Sequence, residues 1–353
     1  MKKILYSSTI SIILLITVSL IYLSTIGYET DKFNEFLKKK TERYNDNIEA
    51  NFEKIKIKID LKKLNFFITT NKLEIKYFDA QIKIKKIDAY VDLISLILAK
   101  PNIKNVFITT EEIKTNNLKK AIKYLKPSNS KRFLINNIEG GNIASNFNII
   151  FDDKNNIQDY EIDGYVKNLN LKIKDFNFQK SSFIFFLNNN SGEIKNLRTT
   201  FENFLINSGN VYFLNNEFLT VKGDLKSNFE LNKNDFRKYT NFEKNIFNDL
   251  FLKGNFINKF QIKFDETLKV KDYSLSIISD LNNSKATLSE TFKNELLYEG
   301  IDDVRLKNSK LEIQYNSNKN NYLKSSGLYS FNNLDFLDFN IETFFKNKKK
   351  ISK

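Results

Sequence analysis

Apolar and polar residues alternate along much of the chain after its first fifty residues. In the run 54–61, Ile55, Ile57, Ile59 and Leu61 alternate with lysines and an aspartate. A period of two is typical of a β-strand, whose successive side chains point to opposite faces of the sheet. Because the intervening residues are polar, the pattern predicts antiparallel strands with one apolar face and one solvated face.

The same alternation recurs later in the sequence, at residues 73–77, 82–84, 166–173, 219–221, 256–264, 275–277 and 311–315. An Asn-rich junction at 187–192 supplies a turn between two such runs. No fixed-period repeat of the propeller or solenoid kind is evident. The predicted fold class is therefore mainly β with short α-helices. We expect an elongated, open antiparallel β-sheet of about 16–18 strands, folded along its axis into a taco-like groove.

Short helices are predicted between the strands, from capping residues and apolar spacing. Asp92 can cap a helix over residues 93–98, which Pro101 would end. Asn116 or Asn117 can cap a second helix, which Pro127 would end. The apolar face of that second helix would comprise Leu118, Ala121, Ile122 and Leu125.

Two further helices are predicted in the second half of the chain. One begins near Asp235 and ends before Gly254. Its inward-facing residues would be Phe236, Tyr239, Phe242, Ile246 and Leu250. The other covers residues 289–299 and is closed by Gly300.

The N-terminal segment has the character of a membrane anchor. Residues 4–28 carry no charge, and at 1.5 Å per residue they reach about 37 Å, enough to cross a hydrocarbon layer of about 30 Å. The segment 23–27 lacks the small-residue exit of a cleaved signal, so a retained anchor is preferred. Lys2 and Lys3 place the N-terminus in the cytoplasm by the positive-inside rule, and the rest of the chain outside it.

Composition removes most classes of enzyme. The chain has no His and no Cys, which excludes histidine-based acid–base catalysis, thiol chemistry and zinc-ribbon sites. The acidic pairs Asp152-Asp153 and Asp302-Asp303 lack the ligand spacing of a calcium loop, so we interpret them as turn residues. We expect no catalytic residue, no metal site and no cofactor, and the chain is not predicted to be an enzyme.

The positive charge is interpreted as a solvated lysine face. The chain has 56 Lys+Arg against 42 Asp+Glu, a net charge of +14, and nearly all the basic residues are lysine. Nucleic acid is an alternative partner, because phenylalanine and lysine are interleaved at residues 176–180. We expect no nucleic-acid partner, since an exported chain would rarely meet one and no recognition motif is present.

Residues 52–127 carry a resemblance to a known family. Asp92-Leu93-Ile94-Ser95-Leu96-Ile97 is followed by Lys100-Pro101-Asn102-Ile103, and Leu73, Ile75, Tyr77 and Asp79 precede both. This arrangement resembles the N-terminal region of the AsmA-like family of cell-envelope proteins (the AsmA, TamB and YhdP type). The resemblance implies a single-pass inner-membrane anchor, and a periplasmic β-sheet groove whose apolar inner face carries phospholipid acyl chains.

The resulting organisation has six parts: a cytoplasmic n-region (1–3), a transmembrane anchor (4–28), a stalk helix (29–50), an AsmA-like β/α region (51–130), an elongated β-sheet region (131–345) and a basic tail (346–353). The function expected is passive phospholipid transport between membranes, or outer-membrane biogenesis. The alternative is a structural or assembly protein of the envelope that uses its sheet to bind a protein partner. The predicted lipid-groove residues are Ile55, Ile57, Ile59, Leu61, Leu73, Ile75, Leu169, Leu171 and Ile173.

Overall fold

The protein is mainly β. The computed structural model describes residues 2–31, 34–35, 38–39, 47–62, 65–92, 102–154, 156–173, 176–239, 246–267, 269–295, 297–317 and 321–345. In this part of the chain the strands pair antiparallel in a large sheet, and four helices accompany them. The prediction of a mainly β, antiparallel fold with helices is confirmed.

The helices are α1 (Lys2–Thr25), α2 (Thr115–Lys123), α3 (Asn129–Asn137) and α4 (Lys233–Tyr239). The chain divides into two compact units. The first unit comprises residues up to 167 together with 186–189, and the second comprises 168–185 together with 190–353.

Eight strands lie wholly in the first unit. They are β1 (Tyr28–Thr30), β2 (Ile48–Asn51), β3 (Lys54–Asp60), β4 (Asn65–Tyr77), β5 (Ala80–Asp92), β6 (Ile103–Thr110), β7 (Ile113–Lys114) and β8 (Ile138–Phe151). β2 and β3 both pair with β4, so they share one row of the sheet, and β4, β5, β6 and β8 follow in turn. Ala50, Leu73 and Ile84 are buried together at the centre of this unit.

The strands β9 (Ile157–Ile173) and β10 (Phe176–Asn188) each contribute residues to both units. The remaining strands belong to the second unit: β11 (Ser191–Phe201), β12 (Phe204–Asn215), β13 (Leu219–Asn232), β14 (Phe247–Phe264), β15 (Val270–Leu281), β16 (Ser284–Asn294), β17 (Leu297–Asn316), β18 (Asn321–Phe331) and β19 (Leu337–Phe345). From β11 to β19 the rows follow the order of the sequence. β15 and β16 both lie between β14 and β17, so they also share one row.

Several strands contain a residue in the left-handed region, with φ near 50°. Examples are Lys72 in the first unit and Asn168, Lys180, Asn196 and Asn308 in the second. At such a residue the alternation of inward and outward side chains shifts by one position, as it does at a β-bulge, and we call these positions bulges. The apolar face of β9 therefore passes from Val166 to Leu169 rather than to residue 168.

The amide groups freed at these bulges find side-chain acceptors on the adjacent strand. The Asn168 N–H donates to Ser182 Oγ at 3.2 Å, and the Lys180 N–H donates to Asn170 Oδ1 at 3.1 Å. The Asn196 N–H donates to Asn210 Oδ1, also at 3.2 Å. Polar side chains on the solvated face thus satisfy donors that the sheet ladder leaves open.

A helix is confirmed in the segment predicted after Asn116, as α2, but its N-cap is Lys114, so Asn116 and Asn117 lie inside the helix and do not cap it. Its residue Ala121 is buried, whereas Leu125 lies beyond the helix end and is 55% exposed. Thr115 Oγ1 and Lys119 Nζ donate to the backbone carbonyls of Gly141 and Ile138, which fixes α2 beside the start of β8. α3 was not predicted, although Ser128 caps it by accepting from the Lys131 N–H at 3.1 Å.

Two predicted helices differ from the structure. A helix is present near Asp235, as α4, but Leu250, which was predicted to belong to it, lies in β14, where it pairs with Ala286 of β16. Residues 240–245, between α4 and β14, lie outside the described residues. Residues 289–299 contain the end of β16 and the start of β17, and Phe292 faces Ile301 across these two strands. Strand pairing outweighs the local helical preference in both segments.

The N-terminal predictions are only partly matched. Among the residues that the structure describes, no helix combines the length and apolarity that crossing a membrane requires, so the predicted transmembrane anchor at 4–28 is not supported. The range predicted as a stalk helix, 29–50, contains parts of β1 and β2. The helix predicted at 93–98, most of the rest of the stalk and the basic tail at 346–353 lie outside the described residues.

Candidate apolar binding face

The strand β13 separates apolar and polar residues more completely than the sequence analysis recognised. One face carries Leu219, Val221, Gly223, Leu225, Ser227, Phe229 and Leu231. The other face carries Thr220, Lys222, Asp224, Lys226, Asn228, Glu230 and Asn232. The side chains on the first face are buried or half-buried, and most on the second are exposed. β13 is therefore a strand with one apolar face throughout its length.

The pairing register extends this face to the neighbouring strands. Ser227 faces Ile206 on β12 and Phe256 on β14, and Phe256 in turn faces Ser279 on β15. We call this surface the apolar floor. It comprises the odd-numbered residues of 219–231, the even-numbered residues of 250–264, the odd-numbered residues of 273–281, and Phe204 and Ile206. No residue of the apolar floor is charged.

Aromatic rings form a continuous line on the same side of the second unit. The centroids of Phe178 and Phe201 are 4.7 Å apart, and those of Phe201 and Phe204 are 6.0 Å apart. Phe204, Phe229 and Phe256 then form a triangle with separations of 5.9–6.2 Å. These distances are those of favourable aromatic pairs, and these rings are only half-buried.

Glycine lets one of these rings lie flat on the sheet. A Cβ atom at Gly223 would come within 2.5 Å of Cζ of Phe260, its partner across β13 and β14. The ring of Phe260 therefore occupies the space that any other side chain at 223 would fill. The pairing of Gly223 with Phe260 therefore allows the phenylalanine ring to pack directly against the backbone of β13.

Small hydroxyl residues are buried in the sheet of the second unit. Ser279 is 4% exposed and Ser309 is 1% exposed. Each has a partner, because Ser279 Oγ donates to the Asn255 carbonyl at 2.9 Å and Ser309 Oγ to the Lys307 carbonyl at 3.3 Å. Ser181 and Thr199 bond to each other through their hydroxyls at 2.7 Å. The hydrogen-bonding groups of these hydroxyls are therefore satisfied within the protein. Their small side chains leave room for the large apolar side chains around them.

Lys195 and Tyr322, two groups of the second unit with shifted pKa values, are not part of the apolar floor. The hydrogen bond between Lys195 and Glu193 raises the pKa of the lysine. The hydrogen bond that the Tyr322 hydroxyl donates to Glu312 raises the pKa of the tyrosine. Among the described residues, no cluster of acidic side chains could hold a metal ion. The apolar floor is an arrangement suited to contact with apolar groups.

The predicted groove residues are divided between the two units. Ile55, Ile59 and Leu73 are 1–5% exposed and belong to the interior of the first unit. Ile57 and Ile75 are half-buried in the same unit. Leu61 was expected to continue the alternation of β3, but it lies in the turn after that strand and is 44% exposed.

The other three predicted residues lie on β9 in the second unit. Leu169 is 9% exposed, and Leu171 and Ile173 are half-buried. The residues that sequence reasoning missed are Phe204, Phe229, Phe256 and Phe260. A usable signal was present, because residues 219–231 alternate without interruption and place no charge on their apolar face.

Comparison with known proteins identified no similar protein. No family model matches the sequence, and no match was found among curated proteins or among solved structures. The resemblance of residues 52–127 to the AsmA-like family stays a prediction.

Proposed function

We propose that the protein binds the acyl chains of lipids on the apolar floor of its second unit and shields them from water. The observation that carries this proposal is the continuity of the floor: from β13 to β15 no charged side chain interrupts it, while lysine, aspartate and glutamate occupy the opposite face. A surface of this kind favours an extended apolar ligand, whose polar headgroup would remain in water.

The energetics suit reversible binding. Each methylene group removed from water contributes about 0.8 kcal/mol, so several methylene groups laid on the rings offset the cost of immobilising a chain. The half-buried rings of Phe204, Phe229 and Phe256 supply such contact area without a deep pocket. Binding of this kind needs no energy-coupling motif, which accords with a passive carrier of phospholipid between membranes.

The first helix supports a location at a membrane. The apolar side chains of Ile10, Leu14 and Leu15 are 65–68% exposed on α1, and burying them in an apolar phase would be favourable. We therefore include in the proposal that α1 attaches the protein to a lipid membrane. Attachment to the inner membrane with the sheet in the periplasm is the form that the AsmA-like resemblance implies.

A second function, binding of a protein partner in the envelope, is favoured by β19. Eight of its nine residues are exposed, including Leu337, Ile341 and Phe344 at 53–68%. The strand contains neither proline nor lysine, the residues that usually protect an exposed sheet edge. A partner strand could pair with it by β-augmentation.

The test is lipid retention by the full chain purified in mild detergent, measured by native mass spectrometry and lipid extraction. Phe256→Asp places a charge in the apolar floor, whereas Ile257→Asp places one on the opposite face of the same strand, where Ile257 is 39% exposed. We expect the Phe256 variant to lose its phospholipid and the Ile257 variant to keep it.

Phe256→Ser provides a milder version of the same test, because serine already flanks this position at 227 and 279. It should reduce lipid retention while circular dichroism shows an unchanged sheet. Wild-type protein that carries no lipid, or equal retention by the Phe256 and Ile257 variants, would contradict the proposal.

A further inference from the structure

The apolar side of the second unit continues beyond β15 to the last strand, β19. Ser279 of β15 faces Leu311 of β17. Leu311 also faces Ser325 of β18, which in turn faces Ile341 of β19. Directly opposed residues place their side chains on the same face of a sheet, so Ile341 lies on the side of the apolar floor. The other odd-numbered residues of β19 share that side because side chains alternate along a strand.

A line of aromatic rings reaches the same strand. The ring centroids of Tyr273 and Tyr315 are 5.5 Å apart, and those of Tyr315 and Phe345 are 6.3 Å apart. No odd-numbered residue of β19 is charged; they are Leu337, Phe339, Ile341, Thr343 and Phe345. The apolar side of the sheet therefore extends to β19 without a charged side chain on that strand.

β19 has the features of an edge strand that is open to pairing. Eight of its nine residues are exposed. Its pairing with β18 covers all nine residues without a register shift, and none of them has a positive φ, so the strand contains no bulge. A regular edge strand offers its backbone N–H and C=O groups to another strand, and bulges are one of the devices that usually prevent this.

The sequence of β19 is complementary to itself. We consider two copies of the strand that pair antiparallel about Ile341, which is the central residue of the nine. On the apolar side, Leu337 then lies opposite residue 345, Phe339 lies opposite residue 343, and Ile341 lies opposite its own copy. On the other side, Asp338 lies opposite residue 344 and Asn340 opposite residue 342. No acidic side chain is opposed by another in this register.

The neighbouring registers are less favourable. Pairing about residue 340 would place Asp338 opposite Glu342 twice, and pairing about residue 342 would place Glu342 opposite its own copy. Like charges directly opposite each other destabilise a sheet. A slip that exchanges odd for even positions would bring the apolar side of one copy against the acidic side of the other. The residue types of β19 therefore favour pairing about Ile341.

We propose that β19 pairs with β19 of a second copy of the chain in this register. The result is a dimer with two-fold symmetry, in which the same strand of each copy forms the interface. The apolar sides of the two copies then lie side by side and form one larger apolar surface. This inference rests on the second of the two functions proposed above, because it names the partner that the exposed strand takes.

Cysteine crosslinking of the full chain in mild detergent tests the register. The chain contains no cysteine, so an introduced cysteine reports on one position alone. Ile341→Cys should form a disulfide-linked dimer under mild oxidation, because directly opposed residues have Cα atoms about 4.5–5.5 Å apart, within the range that a disulfide spans. Leu337→Cys and Phe345→Cys should each remain uncrosslinked alone, whereas an equal mixture of the two should form the disulfide-linked dimer.

A pair of charge variants tests the interface without a crosslink. Ile341→Lys places two lysines opposite each other and should convert the dimer into a monomer, as measured by native mass spectrometry. Phe344→Lys is the matched control, because it brings a lysine opposite Asp338 and should preserve the dimer. Ile341 and Phe344 are 53% and 68% exposed, so both variants should fold, and circular dichroism checks this.

The outcomes separate this inference from the binding of lipid. A wild-type chain that is monomeric at micromolar concentration would overturn the dimer, even if that monomer retains phospholipid. Crosslinking of Leu337→Cys alone that equals the crosslinking of Ile341→Cys would overturn the register. A dimer that carries no lipid would support this inference and contradict the proposed binding of acyl chains. A different protein found crosslinked at residue 341 in place of a second copy would also overturn the dimer.

Discussion

The two units share the same alternating sequence pattern, but the apolar faces that it produces are buried to different extents. In the first unit, Leu73 and Ile84 are 2% and 5% exposed and pack with Ala50 in a closed cluster. In the second unit, Leu225 and Phe256 stand at equivalent inward positions of their strands and are half-buried, although Leu250 and Leu231 at the end of the same face are 4% and 9% exposed. Alternation therefore defines which residues share a face, whereas burial of that face depends on what packs against it.

The composition of the two faces differs accordingly. The cluster of the first unit is aliphatic at its centre, with Ile75, Ile82 and Ile108 against Leu73 and Ala50. The floor of the second unit combines aliphatic residues, leucine being the most frequent, with five phenylalanines, two glycines and two serines. Branched aliphatic side chains fill an interior well, while flat rings over small residues form a surface that remains apolar when it is accessible.

The largest expected effect comes from truncating one leucine to alanine in each unit and comparing the losses of stability. Leu73→Ala should lower the free energy of unfolding by about 3 kcal/mol, because it leaves a cavity in a closed cluster. Leu225→Ala should cost about 1 kcal/mol, since its side chain is partly solvated already. Guanidinium denaturation measures both values. Equal losses would mean that the apolar floor is an ordinary closed core.

A glycine comparison should give the next largest effect. Gly223→Ala forces the ring of Phe260 away from β13, and we expect a loss of about 1–2 kcal/mol. Gly140→Ala in the first unit is its control, because a Cβ there meets no atom within 4 Å. The control should be neutral or slightly stabilising. Thermal unfolding distinguishes the two, and an unaffected Gly223 variant would show that the ring does not need that space.

The bulges offer a test in which the two units should agree. Lys72 and Lys180 adopt φ values of 53° and 52°, which cost an L-residue conformational energy. Replacing either lysine with glycine should raise the free energy of unfolding by about 0.5 kcal/mol, the relief of strain being partly offset by the greater freedom of the unfolded chain. Destabilisation by either variant, measured by denaturant titration, would argue against the left-handed conformation at that bulge.

The smallest effect concerns two loops with the same hydrogen-bond pattern. Asp152 in the first unit accepts from the N–H groups of Lys154 and Asn156, and Asp265 in the second accepts from those of Thr267 and Lys269. For Asp152 the bonds from Asn156 contribute most to a lowered pKa, and for Asp265 the bond from the Thr267 side chain does.

A lowered pKa in the folded state means that each carboxylate stabilises the protein above its ordinary pKa of 3.8 and loses this contribution as the pH falls through the folded-state value. Asp152→Asn and Asp265→Asn should therefore each make stability slightly less dependent on pH below about 5. Unfolding curves recorded between pH 2 and 6 measure this dependence. An unchanged dependence in both variants would contradict the assignment. The finding also agrees with the interpretation of Asp152 as a turn residue. The same interpretation is wrong for Asp302 and Asp303, which lie within β17, where Asp303 pairs with Thr287.

Strand positions could be predicted from the sequence because two-residue alternation is local. Residues 54–60 and 169–173 are strands as expected. The bulges were harder to recognise, since Asn168 and Asn196 interrupt the alternation by a single position that depends on partners such as Ser182 and Asn210. These partners are distant in the sequence and become neighbours only through pairing.

The helices and the candidate site show where local reasoning stops. The spacing of Tyr239, Ile246 and Leu250 fits a helix, yet Leu250 pairs in β14 because its strand has partners on both sides. The predicted groove residues Ile55 and Leu171 lie in different units. Both were selected by the same alternating pattern, which does not distinguish a closed interior from an accessible face. The contacts of Phe204 with Phe229 and Phe256 arise from strand pairing, so the local sequence does not reveal them.

The order of rows in the second unit has a consequence for synthesis. From β11 to β14, and again from β17 to β19, each strand pairs with the strand made immediately before it. When such a strand leaves the ribosome, the strand with which it pairs has therefore already been synthesised. Short sequence separations between partners also favour rapid folding. Such a sheet can grow strand by strand as it is made, with only its newest edge open at any moment.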